Sequence, residues 1–116
     1  MDSRKQVLES LIELKGDLRT IRASLASFPF DHPEEEVTLT TDHVRTVLER
    51  FIDSQLSEQD VEDWANIVEG RDDIGYDEKS KETLIELVFV LANPVLNGSL
   101  DLGKARDLLR QLDTRD

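Results

Sequence analysis

The acids Glu69, Asp72, Asp73, Asp77 and Glu78 crowd the span 69–78. Carboxylate oxygens are what Ca²⁺ and Mg²⁺ take as ligands, so a divalent cation is the first chemistry to test there. An EF-hand loop needs acids at alternating positions, Gly at the sixth and Glu at the twelfth. Counting from Asp72 or Asp73 puts Ile74, Gly75 and Tyr76 among the intervening positions, and the pattern fails. No metal and no cofactor are therefore expected. A metal-binding or enzymatic role for the 69–78 acids stands only as an alternative. Asp72 and Asp73 have a simpler use: accepting from backbone N–H groups in a turn, or pairing with Arg71.

Other catalytic constellations find no support. His32 and His43 are the only histidines, and neither accompanies a Ser nucleophile elbow or a His-x-x-x-His pair. There is no Gly-rich phosphate loop. Paired carboxylates for acid–base work give no positive signal, because acids occur throughout the chain. Cysteine is absent, which excludes disulfides, thiolate ligands and a Cys nucleophile, and fits a reducing cytoplasm. No catalytic residue is named, and a non-enzymatic protein is expected.

Charge is the stronger signal. The formal net charge is −12, and it is unevenly placed. Residues 1–30 carry five bases against four acids, residues 31–90 carry 18 acids against five bases, and residues 91–116 balance. A surface of that sign repels nucleic-acid phosphates and anionic membranes, so neither is expected as a partner. It suits a basic protein, because complementary fields speed association. Solubility alone is the plainer use of the same charge.

The elements that carry these residues read as helices. A chain of 116 residues is one domain, 1–116. Five Gly and three Pro are too few for a loop-rich fold. The N-terminus is amphipathic rather than continuously apolar, so no signal peptide is expected. The longest apolar run, Leu87–Ala92, is far short of a membrane span.

Residues 3–27 are predicted as one long helix, capped by Asp2 or Ser3 with Gln6 in capping-box position. Val7, Leu11, Leu14, Leu18, Ile21, Leu25 and Phe28 follow at spacings of 4, 3, 4, 3, 4 and 3, an a/d seam. That seam packs within its own bundle, or against a second copy as a homodimer. Prolines 29 and 33 end the helix and open a linker over 28–40, with a short extended piece at Val37–Thr40.

A helical core over 41–116 follows. The second helix, 42–55, buries Val44, Val47, Leu48, Phe51 and Ile52. Ser57 and Asp60 then form a capping box, with Leu56 and Val61 as a hydrophobic staple. The helix 58–69 lays Val61, Trp64, Ala65 and Val68 on one face, and Gly70 is expected to stop it in a left-handed cap. Helix 77–92, capped by Asp77, is apolar nearly all round and reads as the most buried. After Asn93-Pro94 and a turn at Asn97–Ser99, a last helix over 101–112 is capped by Ser99 or Asp101. The predicted fold is all-α: a compact bundle of about five helices, with a long N-terminal helix and a central apolar helix at 77–92.

Trp64 has two readings on this plan. On the apolar face it is core; with an exposed edge beside Asp60, Asp63 and Asp73 it would anchor an interface, where Trp is enriched. The helix 58–69 carries acids and no base, so it is no DNA-recognition helix. The candidate partner-binding set is Asp60, Glu62, Asp63, Trp64, Glu69, Asp72, Asp73 and Tyr76. The weight rests on the acids, since packing accounts for the Trp.

The block Val44–Leu112, with its segment EDWANIVEGRDDIGYD and the later LANP, resembles a family of small uncharacterised bacterial proteins. That resemblance implies no activity. In being small, acidic, helical and without a catalytic motif, the chain is also similar to immunity proteins that neutralise bacteriocins or contact-delivered toxins. This second resemblance implies a cytoplasmic inhibitor of a basic partner such as a toxin, and carries no residue role.

Overall fold

Four-residue signals decide where the helices start, and the structure, a computed structural model, shows them at work. It describes residues 3–29 and 33–115, so expectations placed on Asp2 and His32 lie outside the described residues. The Gln6 N–H donates to Ser3 Oγ and the Ser3 N–H donates back to Gln6 Oε1, opening α1 (Arg4–Glu13).

The expected long helix over 3–27 is corrected. Leu14 turns left-handed at φ 51. Its N–H donates to Leu11 O at 3.0 Å and the Lys15 N–H donates to Ser10 O at 2.9 Å, the paired bonds of a Schellman closure. Gly16 follows at φ 87, and α2 (Leu18–Leu25) folds back on α1. A left-handed Leu costs about 1–2 kcal/mol. Its side chain is buried, which returns about 1.5–3 kcal/mol. Tertiary packing thus installs a break that periodicity conceals.

The homodimer seam is corrected with it. Val7, Leu11, Leu14, Ile21 and Leu25 are buried by the protein's own core, and Leu18 is half-buried against it.

Val37–Leu39 forms β1, then come α3 (Thr41–Ile52) and α4 (Glu58–Glu69), then β2 (Ile74–Tyr76). The strands pair in parallel, Val37 beside Ile74 and Leu39 beside Tyr76. The two-helix crossover gives the chain room to return in the same direction. The extended piece expected in the 28–40 linker is therefore a strand, and its partner went unseen. Three-residue strands are too short to show a period.

Helix α3 ends as α1 does. The Ser54 N–H donates to Phe51 O and the Gln55 N–H to Arg50 O, with Ser54 at φ 64. Gly tolerates that conformation without the side-chain penalty, so Ser54→Gly should raise stability by about 0.5–1 kcal/mol in urea unfolding. Arg50 also donates from Nη1 to Leu14 O at 2.9 Å, tying this end of α3 to the break after α1.

The box at Ser57 forms as expected, with Asp60 N–H to Ser57 Oγ at 3.0 Å and Ser57 N–H to Asp60 Oδ2 at 2.9 Å. Val61, Trp64, Ala65 and Val68 make the buried face of α4. Gly70 is a correction: at φ −84 it is right-handed, not a left-handed cap.

The expected helix 77–92 begins later. A 3-10 turn at Glu78–Ser80 leads into α5 (Lys81–Ala92). This helix is also less central than its composition suggests. Thr83, Leu84, Leu87, Val88, Leu91 and Ala92 face inward, while Ile85 is 46% and Phe89 42% exposed. Pro94 starts a short α6 (Pro94–Asn97), where its missing N–H costs nothing. Asp101 then caps α7 (Leu102–Arg115), its Oδ1 accepting from the Lys104 N–H at 2.8 Å.

The described residues make a mostly helical globule of seven α-helices and a two-stranded parallel sheet. Helix α4 packs along α5, and α3 along α7. The radius of gyration is 13.5 Å, as close packing of a chain this size requires. Among the described residues no helix is long and apolar enough to cross a membrane.

Candidate functional site

Of the eight residues singled out for partner binding, two have no surface to offer. Asp73 is 0% exposed and sits under two guanidinium groups. Arg71 holds both carboxylate oxygens, Nε to Oδ1 and Nη2 to Oδ2, each at 2.9 Å. Arg4 Nη1 reaches Oδ2 at 2.9 Å from the first turn of α1. The same arginines donate to the chain between. Arg4 reaches Pro29 O at 3.0 Å, and Arg71 reaches Phe28 O and Pro29 O at 3.1 and 3.2 Å. Arg4 also lies over the Phe28 ring, 5.4 Å from its centre.

Asp73 is thus a clasp that fastens α1 and the 28–29 segment to the start of β2. Burial pushes its carboxyl upward. The hydrogen bonds and charges of Arg71 and Arg4 outweigh that and hold it below its ordinary value. The Arg71 pairing was among the sequence-level uses of this acid. Arg4, 69 positions away, was not.

Trp64 is likewise 0% exposed. Its indole Nε1 donates to Leu11 O at 2.8 Å, so the polar edge is satisfied inside the core. The interface-anchor reading of Trp64, and the partner-contact reading of Asp73, are corrected by that burial.

The other six stay accessible, but α4 separates them. Asp60 and Asp63 lie on the flank toward α2, where they share a cleft with Asp17, Arg19 and Arg22. Both already accept hydrogen bonds, Asp60 from Ser57 N–H and Asp63 from Gln59 Nε2 at 2.8 Å. Glu62 lies on the opposite flank with Glu58, along a shallow groove whose far wall is Val90, Leu91 and Pro94. Glu69 falls on that flank by helical phase, and Asp72 is exposed in the following turn. Tyr76 is half-buried in β2. Burial raises its hydroxyl pKa, and the charge of Glu69 adds to the rise.

Among the described residues, no Lys or Arg forms an ion pair with Glu58, Glu62, Glu69 or Asp72. Among the same residues, no group of three or more His, Asp or Glu is placed to hold a metal ion. The 69–78 acids do not converge, because Asp73 points inward to its arginines while Glu69 and Asp72 face outward.

His43 has a structural task. Its Nδ1 accepts the Thr40 N–H at 2.9 Å, closing the start of α3 in the way a Glu would in a capping box. Burial lowers its pKa, against the opposing charges of Glu13 and Asp42, and the neutral ring is the form that can accept.

An exposed apolar set escaped the sequence reading. Ile85 and Phe89 are about half exposed on α5, and Val95 and Leu96 of α6 are 97% and 73% exposed. The available clue was Glu82 and Glu86, which share a helical flank with Ile85 and Phe89 and could not have faced a core.

Comparison of the chain with protein-family models, curated proteins and solved structures gives no significant match.

Proposed function

We propose that this chain is an acidic protein-binding module that covers a basic surface of a partner protein, in the manner of a toxin-immunity protein in the bacterial cytoplasm. The observation that carries this reading is the row of accessible acids, without ion pairs among the described residues, along one flank of α4 and into the next turn: Glu58, Glu62, Glu69 and Asp72. Like charges held side by side repel, and a partner's Lys and Arg side chains would relieve that repulsion. The net charge of −12 adds a long-range attraction for any basic surface.

The test is capture of a basic partner by the tagged chain. Capture should be strong at low salt and weak near roughly 1 M ionic strength, where screening shortens the field to about 3 Å. Combined reversal of Glu62, Glu69 and Asp72 to Lys should slow association by about tenfold or more. Capture of no basic protein, or capture indifferent to those reversals, would falsify the reading.

A further inference from the structure

We propose that α5 and α6 present a docking stripe for a basic amphipathic helix of the partner. The inference rests on the acidic-module reading and supplies its missing apolar anchor, since Trp64 is buried. Ile85 and Phe89 stand one turn apart on the outer face of α5. Val95 and Leu96 follow shortly after its C-terminal end, Val95 almost wholly uncovered and Leu96 largely so.

These side chains are displayed on a fastened backbone. Asn93 Nδ2 donates to Phe89 O at 2.8 Å, and Asn97 Nδ2 donates to Asn93 O at 3.1 Å. Lys104 Nζ crosses from α7 to bond both Asn97 O and Gly98 O. A turn tied at three points loses little freedom on binding, which is how a preorganised contact gains affinity.

Charge selects the occupant. Glu82 lines one edge of the Ile85–Phe89 pair beside Glu86, which already has an interaction within the chain, and Lys81 stands one turn before Ile85. Past them, Val90 borders the groove that Glu58 and Glu62 flank from α4; its one base, Lys104, is taken up by Asn97 O and Gly98 O. A helix with an apolar stripe and Lys or Arg beside it would set the stripe on Phe89 and Ile85 and its bases on Glu82, Glu58 and Glu62. A second copy of this chain fits poorly, because a two-fold contact here would oppose the Glu82 and Glu86 of both copies, each chain carrying −12.

The probe is a fluorescently labelled synthetic helix with a Leu stripe and Lys flanks, titrated with the full chain by anisotropy. Binding is expected, and the same peptide with Glu flanks should not bind. Phe89→Asp and Val95→Asp should each weaken binding by about tenfold or more, and Val95→Asp should leave the thermal melt unchanged, because that side chain is 97% exposed. Failure of the Lys peptide to bind, or equal binding of the Glu peptide, overturns the stripe. So does a concentration-dependent dimer that Phe89→Asp abolishes, or binding to phosphatidylcholine vesicles. If Phe89→Asp and Val95→Asp leave basic-partner capture intact while the Glu62, Glu69 and Asp72 reversals remove it, the acidic module stands and the stripe falls.

Discussion

Asp73→Ala should cost about 3–5 kcal/mol of folding stability, read as a shift in urea midpoint. Removing this carboxylate leaves Arg71, whose side chain is 8% exposed, without its counter-charge, and weakens the hold of Arg4. An unpaired buried charge costs more than the pair was worth, which is why truncating one partner is severe. Small domains have about 5–15 kcal/mol in total, so the variant stands near unfolding. Arg4→Ala should cost less, because Arg4 is 17% exposed and water can replace part of what it loses.

The same clasp makes a pH prediction with a definite sign. The carboxyl is held below its ordinary 3.8 in the folded chain. The folded state therefore binds the proton less readily than the unfolded chain. The stability this supplies is complete above pH 3.8 and is lost as pH falls through the depressed folded value. Asp73→Asn should flatten that part of the acid limb. An acid limb of unchanged steepness would mean that other carboxylates dominate.

Trp64→Ala is expected to be equally damaging, at about 3–5 kcal/mol. The indole is fully buried between α4 and α1, and the cavity left behind would be large. Trp64→Phe separates packing from hydrogen bonding. Leu11 O still receives the Leu14 N–H at 3.0 Å, so loss of the indole donor should cost only about 1 kcal/mol. As the sole Trp, it should emit at short wavelength when folded and shift red on unfolding. Trp64→Phe should leave partner capture unchanged, because a fully buried ring offers a partner no contact. Loss of capture in a folded Trp64→Phe protein would restore the Trp as an anchor.

Both effects depend on contacts that join the ends of the clasp and core across the chain, and that marks the limit of sequence reading here. The caps at Ser3, Ser57 and Asp101, and the buried face of α4, were readable because the partners lie within three or four residues and obey helical phase. The charge division was readable because it is a count. The accessible acids of the candidate site were on view for the same reason, but their division between two flanks of α4 became meaningful only once α2 and α5 were placed beside it.

Local pattern therefore determined the helix starts at Ser3, Ser57 and Asp101, the mostly helical class and the acidity of the middle of the chain. Tertiary structure decided the rest. It broke the 7–28 seam at Leu14, because burying that side chain outweighs a left-handed backbone. It paired two three-residue strands that have no visible period. It drew Arg4 to Asp73 and exposed one side of α5. Each of these outcomes turns on which distant surface lies opposite a residue, and no spacing along one helix encodes that.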